Sequence, residues 1–183
     1  IATKTPTPSF NPDSAYAFIK DQVEFGPRVP NTAAHDSCAA YLIKKLVSYG
    51  LEVKTQKGEI LAYNNTKLNF TNIFTSINPE ARNKIMLCTH WDTRPYADQE
   101  PLDKTNSFDG ASDGGSGVGV LLEIARLISK NKPSIGVDLI LFDVEDYGNP
   151  NFQDSYCLGS QYWAKNPIQK NYYPKYGVLL DMV

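Results

Sequence analysis

Apolar positions recur along this chain at two spacings, and those spacings divide it into helices and strands. Over Pro12–Gln22 and just beyond, Ala15, Phe18, Ile19 and Val23 stand three or four residues apart, the stripe of an amphipathic helix. Asp13 or Ser14 is placed to cap its start. The run Phe25-Gly26-Pro27-Arg28-Val29-Pro30 ends the pattern, because proline blocks helical continuation. Thr32–Tyr49 resumes the helical spacing, with Ala40, Leu42, Ile43, Leu46 and Val47 expected to face inward and Gly50 standing where a C-terminal cap belongs. Alternation with period two follows at Leu51–Leu61 and Lys67–Ile77, joined by the turn Tyr63-Asn64-Asn65-Thr66. Lys84–His90 and Val137–Asp143 are short and mostly apolar, as strands covered on both faces are. Between them, after a polar loop from Arg94 to Asp109, Gly117–Ser129 is strongly helical through Val120, Leu121, Ile124, Ala125 and Ile128. A loop from Tyr147 to Tyr156, a short helix at Gly159–Lys165 and a strand at Tyr176–Asp181 complete the chain. Helices alternating with apolar strands predict an α/β three-layer sandwich, with a mixed, largely parallel central sheet and helices on both faces.

Composition narrows the class of protein. The 183 residues are 42% apolar and 21% charged, enough for one packed domain over residues 1–183 and too apolar for general disorder. Residues 1–11 form a polar, Pro-rich lead-in without a hydrophobic signal core, either a mature end left by signal cleavage or an artificial boundary. The net charge is -2 and Lys and Arg are scattered, so neither a nucleic-acid footprint nor a polybasic membrane patch is expected. No apolar run approaches the roughly 20 residues of a membrane-spanning helix. Cys38, Cys88 and Cys157 lack metal-type pair spacing. They are expected as buried small hydrophobes, with one disulfide and a leftover thiol as the alternative.

The chemistry lies at the ends of the apolar strands. One ends in His90-Trp91-Asp92, another in Asp143-Val144-Glu145-Asp146, and the last in Asp181. A further acid, Asp113, sits in the glycine-rich stretch Gly110–Gly117 just before a helix. In open α/β sheets ligands bind outside the carboxyl ends of the strands, so these residues are expected around one crevice. Carboxylates crowded there repel one another and lose solvation, and a divalent cation is the usual compensation. Imidazole with carboxylates suits zinc, and in the adjacent pair Glu145-Asp146 one acid can bind metal while the other moves protons. Each element alone has an ordinary structural meaning: a strand-end histidine, a turn or cap aspartate, a solvated acidic loop. A phosphate-binding loop at Gly110–Gly117 fails because no Gly-Lys-Ser/Thr follows. Asp109, Asp138 and Asp143 are read as structural, and His35, on a helix with no partner pattern, is expected at the surface.

The ordered set His90-Trp91-Asp92, Gly110–Gly117, Glu145-Asp146 and Leu180-Asp181 resembles the zinc-dependent aminopeptidase and glutaminyl cyclase superfamily. The stretches Phe25–Pro30, His90–Asp98 and Leu158–Ala164 look most like the bacterial glutaminyl-peptide cyclotransferases. This resemblance implies a zinc-exopeptidase-like fold, with Asp113 and Asp146 as zinc ligands and Glu145 as the general acid and base. It implies for Asp181 a second metal ligand in a two-zinc aminopeptidase, or a hydrogen-bonding catalytic acid in a one-zinc cyclase. His90 would bind the second zinc in an aminopeptidase and be retained without it in a cyclase, oriented by Asp92. Trp91, Tyr147 and Trp163 are candidates for an apolar substrate pocket and equally for core packing. Asp146 departs from the resemblance, where many relatives carry Glu.

The family's last zinc ligand is a histidine beyond the Leu-Asp strand, and no histidine follows Asp181 here. The resemblance therefore implies the N-terminal part of a longer family domain, with a metal site that is weak on its own. For the whole protein it implies a zinc-dependent glutaminyl-peptide cyclotransferase acting on the N-terminal Gln of peptides or proteins, periplasmic or secreted. The alternatives are a two-zinc aminopeptidase and a catalytically inactive α/β peptide-binding domain.

Overall fold

The structure, a computed structural model, describes residues 7–98, 100–169 and 171–183. Residues 1–6 of the expected lead-in lie outside the described residues. Among the described residues, four helices and five strands follow one another as α1 (Pro12–Val23), α2 (Ala33–Ser48), β1 (Val53–Leu61), β2 (Lys67–Ile77), β3 (Lys84–His90), α3 (Gly115–Lys130), β4 (Gly136–Phe142), α4 (Leu158–Lys165) and β5 (Gly177–Leu179).

The helix starts show which local signals decided the boundaries. In α1 the cap is Asn11, not Asp13 or Ser14; its side chain accepts from the Ser14 N–H at 3.0 Å. Pro12 occupies the first helical position, where its missing N–H costs nothing, and this sets the cap one residue earlier. Thr32 caps α2 by accepting from the His35 N–H at 3.2 Å. The buried stripe of α2 is His35, Cys38, Ala39, Leu42 and Leu46, while Ala40 and Val47 are exposed. The helix is thus rotated from the expected phase, because the stripe begins at a histidine that apolar periodicity does not count. Helix α3 starts two residues earlier than its apolar pattern, at Gly115, with Gly114 in the left-handed region at φ 73°. A Cβ on Gly114 would come within 2.9 Å of His90 Cε1, so the turn into α3 passes against the strand-end imidazole only as glycine.

The sheet runs β1-β2-β4-β3-β5. It is mixed: β3 pairs in parallel with both β4 and β5, whereas β2 pairs antiparallel with β1 and β4. The long β1–β2 hairpin therefore lies on one side and the parallel strands on the other. One face carries Ile73, Ile77, Val137, Leu139 and Leu141 against Phe18 of α1, Leu42 and Leu46 of α2, and Val118, Leu121 and Ala125 of α3. The opposite face packs Phe74, Cys88, Ile140 and Phe142 against Trp163 of α4. Strand β4 is buried along its whole length, which explains its unbroken apolar run. Strand β5 is exposed and shorter than expected, although backbone bonds at Tyr176 and Leu180 extend its pairing with β3. The three cysteines are free; Cys38 and Cys88 are buried as small hydrophobes and Cys157 is half-buried. No helix among the described residues is long and apolar enough to cross a membrane.

Candidate metal centre

Parallel pairing brings the carboxyl ends of β5, β3 and β4 to one edge of the sheet. His90 is the last residue of β3, Glu145 and Asp146 follow the end of β4, and Asp181 follows β5. The turn before α3 adds Asp113. His90 Nε2 lies 2.9 Å from Asp113 Oδ1 and 3.6 Å from Asp181 Oδ1. Two groups of side-chain donor atoms converge to within 4.8 Å, His90 with Asp113 and Asp146, and His90 with Glu145 and Asp181.

The loop after β4 is held by buried carboxylates. Asp92 is fully buried; its Oδ1 accepts from the Glu145 N–H at 3.0 Å and its Oδ2 from the Asp146 N–H at 3.2 Å. The same Oδ1 stands 3.5 Å from His90 Nδ1. One side chain thus fixes the direction of both following acids and stands beside the imidazole without a hydrogen bond to it. Between Asp143 and Glu145 the chain turns at Val144, whose φ of 51° is left-handed. That conformation costs a β-branched residue roughly 1–2 kcal/mol and persists only where its surroundings over-determine it. The glycine-rich turn is fixed from below by Arg28, which is fully buried. Its guanidinium donates to the carbonyls of Trp91 at 3.2 Å, Gly110 at 2.7 Å and Asp109, joining the end of β3 to the turn that bears Asp113.

Charge at the cluster is unbalanced. Burial alone would lower the His90 imidazole, but the carboxylates of Asp113, Asp92 and Glu145 override it and push the group up to about 12. The His90 hydrogen bond holds Asp113 below its ordinary range. Burial pushes Asp146 up to about 7 and raises Glu145, and neighbouring acids add to both shifts. The oxygens Asp146 Oδ2 and Asp181 Oδ1 are buried without a hydrogen-bond partner among the described residues. Orphaned carboxylate oxygens beside an imidazole are the donor set a divalent cation completes, so the residues present fit zinc.

The remaining expectations divide. Tyr147 lines an open groove of about 550 Å³ with Pro27, Val29, Leu68 and Tyr96. Trp91 and Trp163 are packed in the core of this chain: Trp91 is fully buried, and Trp163 packs on Phe74 and Phe142. His35 is the clear correction, for it is buried and not at the surface; its Nε2 lies 2.8 Å from Asp143 Oδ1. Its position three before Cys38 and seven before Leu42 was the available signal. Arg28 also escaped notice as a structural tie, although its place among prolines and apolar residues marks a charge with little water around it.

This geometry has close counterparts among solved structures. A Zn-dependent exopeptidase from Parabacteroides distasonis is 52% identical with a TM-score of 0.94, over 97% of this chain and 63% of that one. The glutaminyl cyclase of Bacteroides thetaiotaomicron, bound to N-acetylhistamine, is 47% identical with a TM-score of 0.93, over 97% of this chain and 64% of that one. The glutaminyl-peptide cyclotransferase of Drosophila melanogaster is 26% identical over 125 residues, 66% of this chain but 33% of that protein. The chain thus spans about a third of that curated relative and somewhat under two thirds of the two solved chains. Residues 72–183, which include all five members of the His90 cluster, match Peptidase family M28, and the chain belongs to that family.

Proposed function

We propose that the protein of which this chain forms at least a part converts an N-terminal glutamine of peptides to pyroglutamate, with release of ammonia. The observation that carries the reading is Glu145, a half-buried acid of raised pKa beside a cluster of orphaned carboxylate oxygens. The likeness to the Bacteroides thetaiotaomicron glutaminyl cyclase over nearly the whole chain supports it. Asp113 and Asp146 would hold the zinc, with His90 beside both. When bound, zinc supplies Lewis acidity toward the oxygen of the substrate's side-chain amide.

In this mechanism the substrate's α-amine attacks its own side-chain amide carbon, forming the ring C–N bond. The C–NH₂ bond breaks and ammonia leaves. Glu145 takes the proton from the amine and returns it to the departing nitrogen, so it must pass through its acid form. Desolvation by burial shifts Glu145 toward that form. Asp181, within reach of Glu145 and His90, would hold the transferred proton in place. Attack within one molecule makes correct folding of the substrate's end a large part of the rate. A single domain, and an N-terminal peptide substrate met in the periplasm or outside the cell, complete the proposal.

A second reading is favoured by the convergence of His90 and Asp181 as possible ligands of a second metal, with Glu145 beside them, and by the likeness to a Zn-dependent exopeptidase. There the whole protein would hold two zincs and hydrolyse N-terminal residues, with Glu145 activating a water. Metal counting and product assay separate the two. For the leading reading, Glu145→Gln in the full-length protein should lower ammonia release from a Gln-initiated peptide about 10³-fold with zinc retained. Turnover unchanged by that substitution would remove Glu145 from its role.

A further inference from the structure

We propose that His35 is a positioning residue: through the Asp143 carboxylate it holds the Val144 elbow that aims Glu145 and Asp146 into the cluster. The proposal rests on Glu145 and Asp146 being the working acids. Asp143 is fully buried at the end of β4, and its carboxylate takes three donors. Its Oδ1 accepts from His35 Nε2 at 2.8 Å and from the Val144 N–H at 2.8 Å. Its Oδ2 accepts from the Thr71 N–H at 2.6 Å and lies 3.0 Å from the same imidazole nitrogen. The Asp143 N–H in turn donates to Asn72 Oδ1 at 2.9 Å.

The carboxylate therefore anchors the first peptide of the left-handed turn to β2 on one side and to α2 on the other. A buried valine at φ 51° holds only while that anchor is fixed. Among the described residues, His35 is the only side-chain donor to that carboxylate. It is itself gripped, with its ring stacked on Trp91 at 4.3 Å between centroids and 23° between planes. Trp91 donates from Nε1 to the Thr71 carbonyl at 3.1 Å, and it directly follows His90. One buried unit thus underlies both strand ends that bear the cluster. The imidazole fixes their relative placement without touching the reacting atoms.

The test compares two replacements in the full-length protein. His35→Leu keeps apolar volume against Trp91 and removes the donor. His35→Gln gives up the ring but places an amide N–H near the Nε2 position. His35→Leu is expected to lower kcat about 10- to 100-fold with KM within about threefold, and to weaken zinc affinity about tenfold by chelator competition. His35→Gln is expected to stay within about fivefold of the parent on both measures, by the same dependence of a held ligand on its outer partner. Should His35→Leu fail to yield folded protein, His35→Asn, whose shorter amide stops short of Asp143, takes its place. Parent-like kcat and zinc affinity in His35→Leu would overturn the proposal. So would His35→Gln as impaired as His35→Leu at equal melting temperature. Zinc affinity is read without substrate. A parent protein that neither cyclises glutamine nor releases N-terminal residues would therefore end the proposed function, while the zinc comparison would still decide the role of His35.

Discussion

The two walls of the acidic cluster around His90 are built differently. The wall formed by the ends of β3 and β4 is buried and cross-tied: His90 and Asp92 are in the core, and Asp92 and Asp143 between them take three backbone N–H groups of the 144–146 turn. The wall formed by Asp113 and Asp181 is open, with side chains 34% and 31% exposed. Under the proposed roles the pinned wall gives both Glu145 and Asp146 a fixed direction, and burial raises the pKa of both.

The sharpest way to break this contrast is at Asp92. Asp92→Ala would leave two part-buried N–H groups without that acceptor, at a cost of roughly 2–6 kcal/mol in stability, since each orphaned group costs about 1–3 kcal/mol. Turnover should fall about 10- to 100-fold by loss of orientation. Parent-like melting and turnover in that variant would show that the pinned wall does not direct the acids.

Acidification tests the electrostatic side. Asp146, raised to about 7, must lose its proton to take a cation, so zinc affinity should fall as pH drops from 8 to 6. The metal-free protein should respond in the opposite sense. His90 and Asp146 both have folded pKa values above their ordinary ones, so each binds protons more tightly folded than unfolded. Their contribution is largest below the unfolded values and is lost as pH rises through the folded ones. Melting of chelator-treated protein should therefore rise from pH 8 to 6 while the advantage conferred by zinc shrinks. Two curves moving in parallel would contradict this assignment of charge.

The smallest effect is expected on the open rim. Arg94 pairs bidentately with Asp98 at 2.7 and 2.8 Å and donates to Tyr156 Oη at 2.9 Å. Tyr156→Phe removes one half-buried hydrogen bond and should cost about 1 kcal/mol or less. Turnover should remain within about threefold, because neither residue directs Glu145. A larger loss would mean that the rim, too, positions the chemistry.

Legibility followed local physics. The strands were readable because β4 is covered on both faces and β2 alternates, and the strand-end acids followed from the rule that parallel strands deliver their carboxyl ends to one edge. The phase of α2 was not readable, since its buried stripe includes His35, a residue that burial accepts only with a partner. That partner, Asp143, lies 108 residues away, and no spacing rule reaches so far. Trp91 and Trp163 were ambiguous for a related reason: an aromatic ring serves a core and a pocket equally well until its neighbours are known.

Chain order alone determined which residues end strands, which glycines permit the turn at Asp113, and that one imidazole and several acids occur at strand ends, because those properties depend on neighbours within a few positions. The pairing of Arg28 with three carbonyls, of Asp92 with two successive peptides, and of His35 with Asp143 was decided only by the tertiary structure. A buried charge is tolerated when distant segments happen to bring it partners, and that condition is set by packing across the sheet and not by sequence pattern.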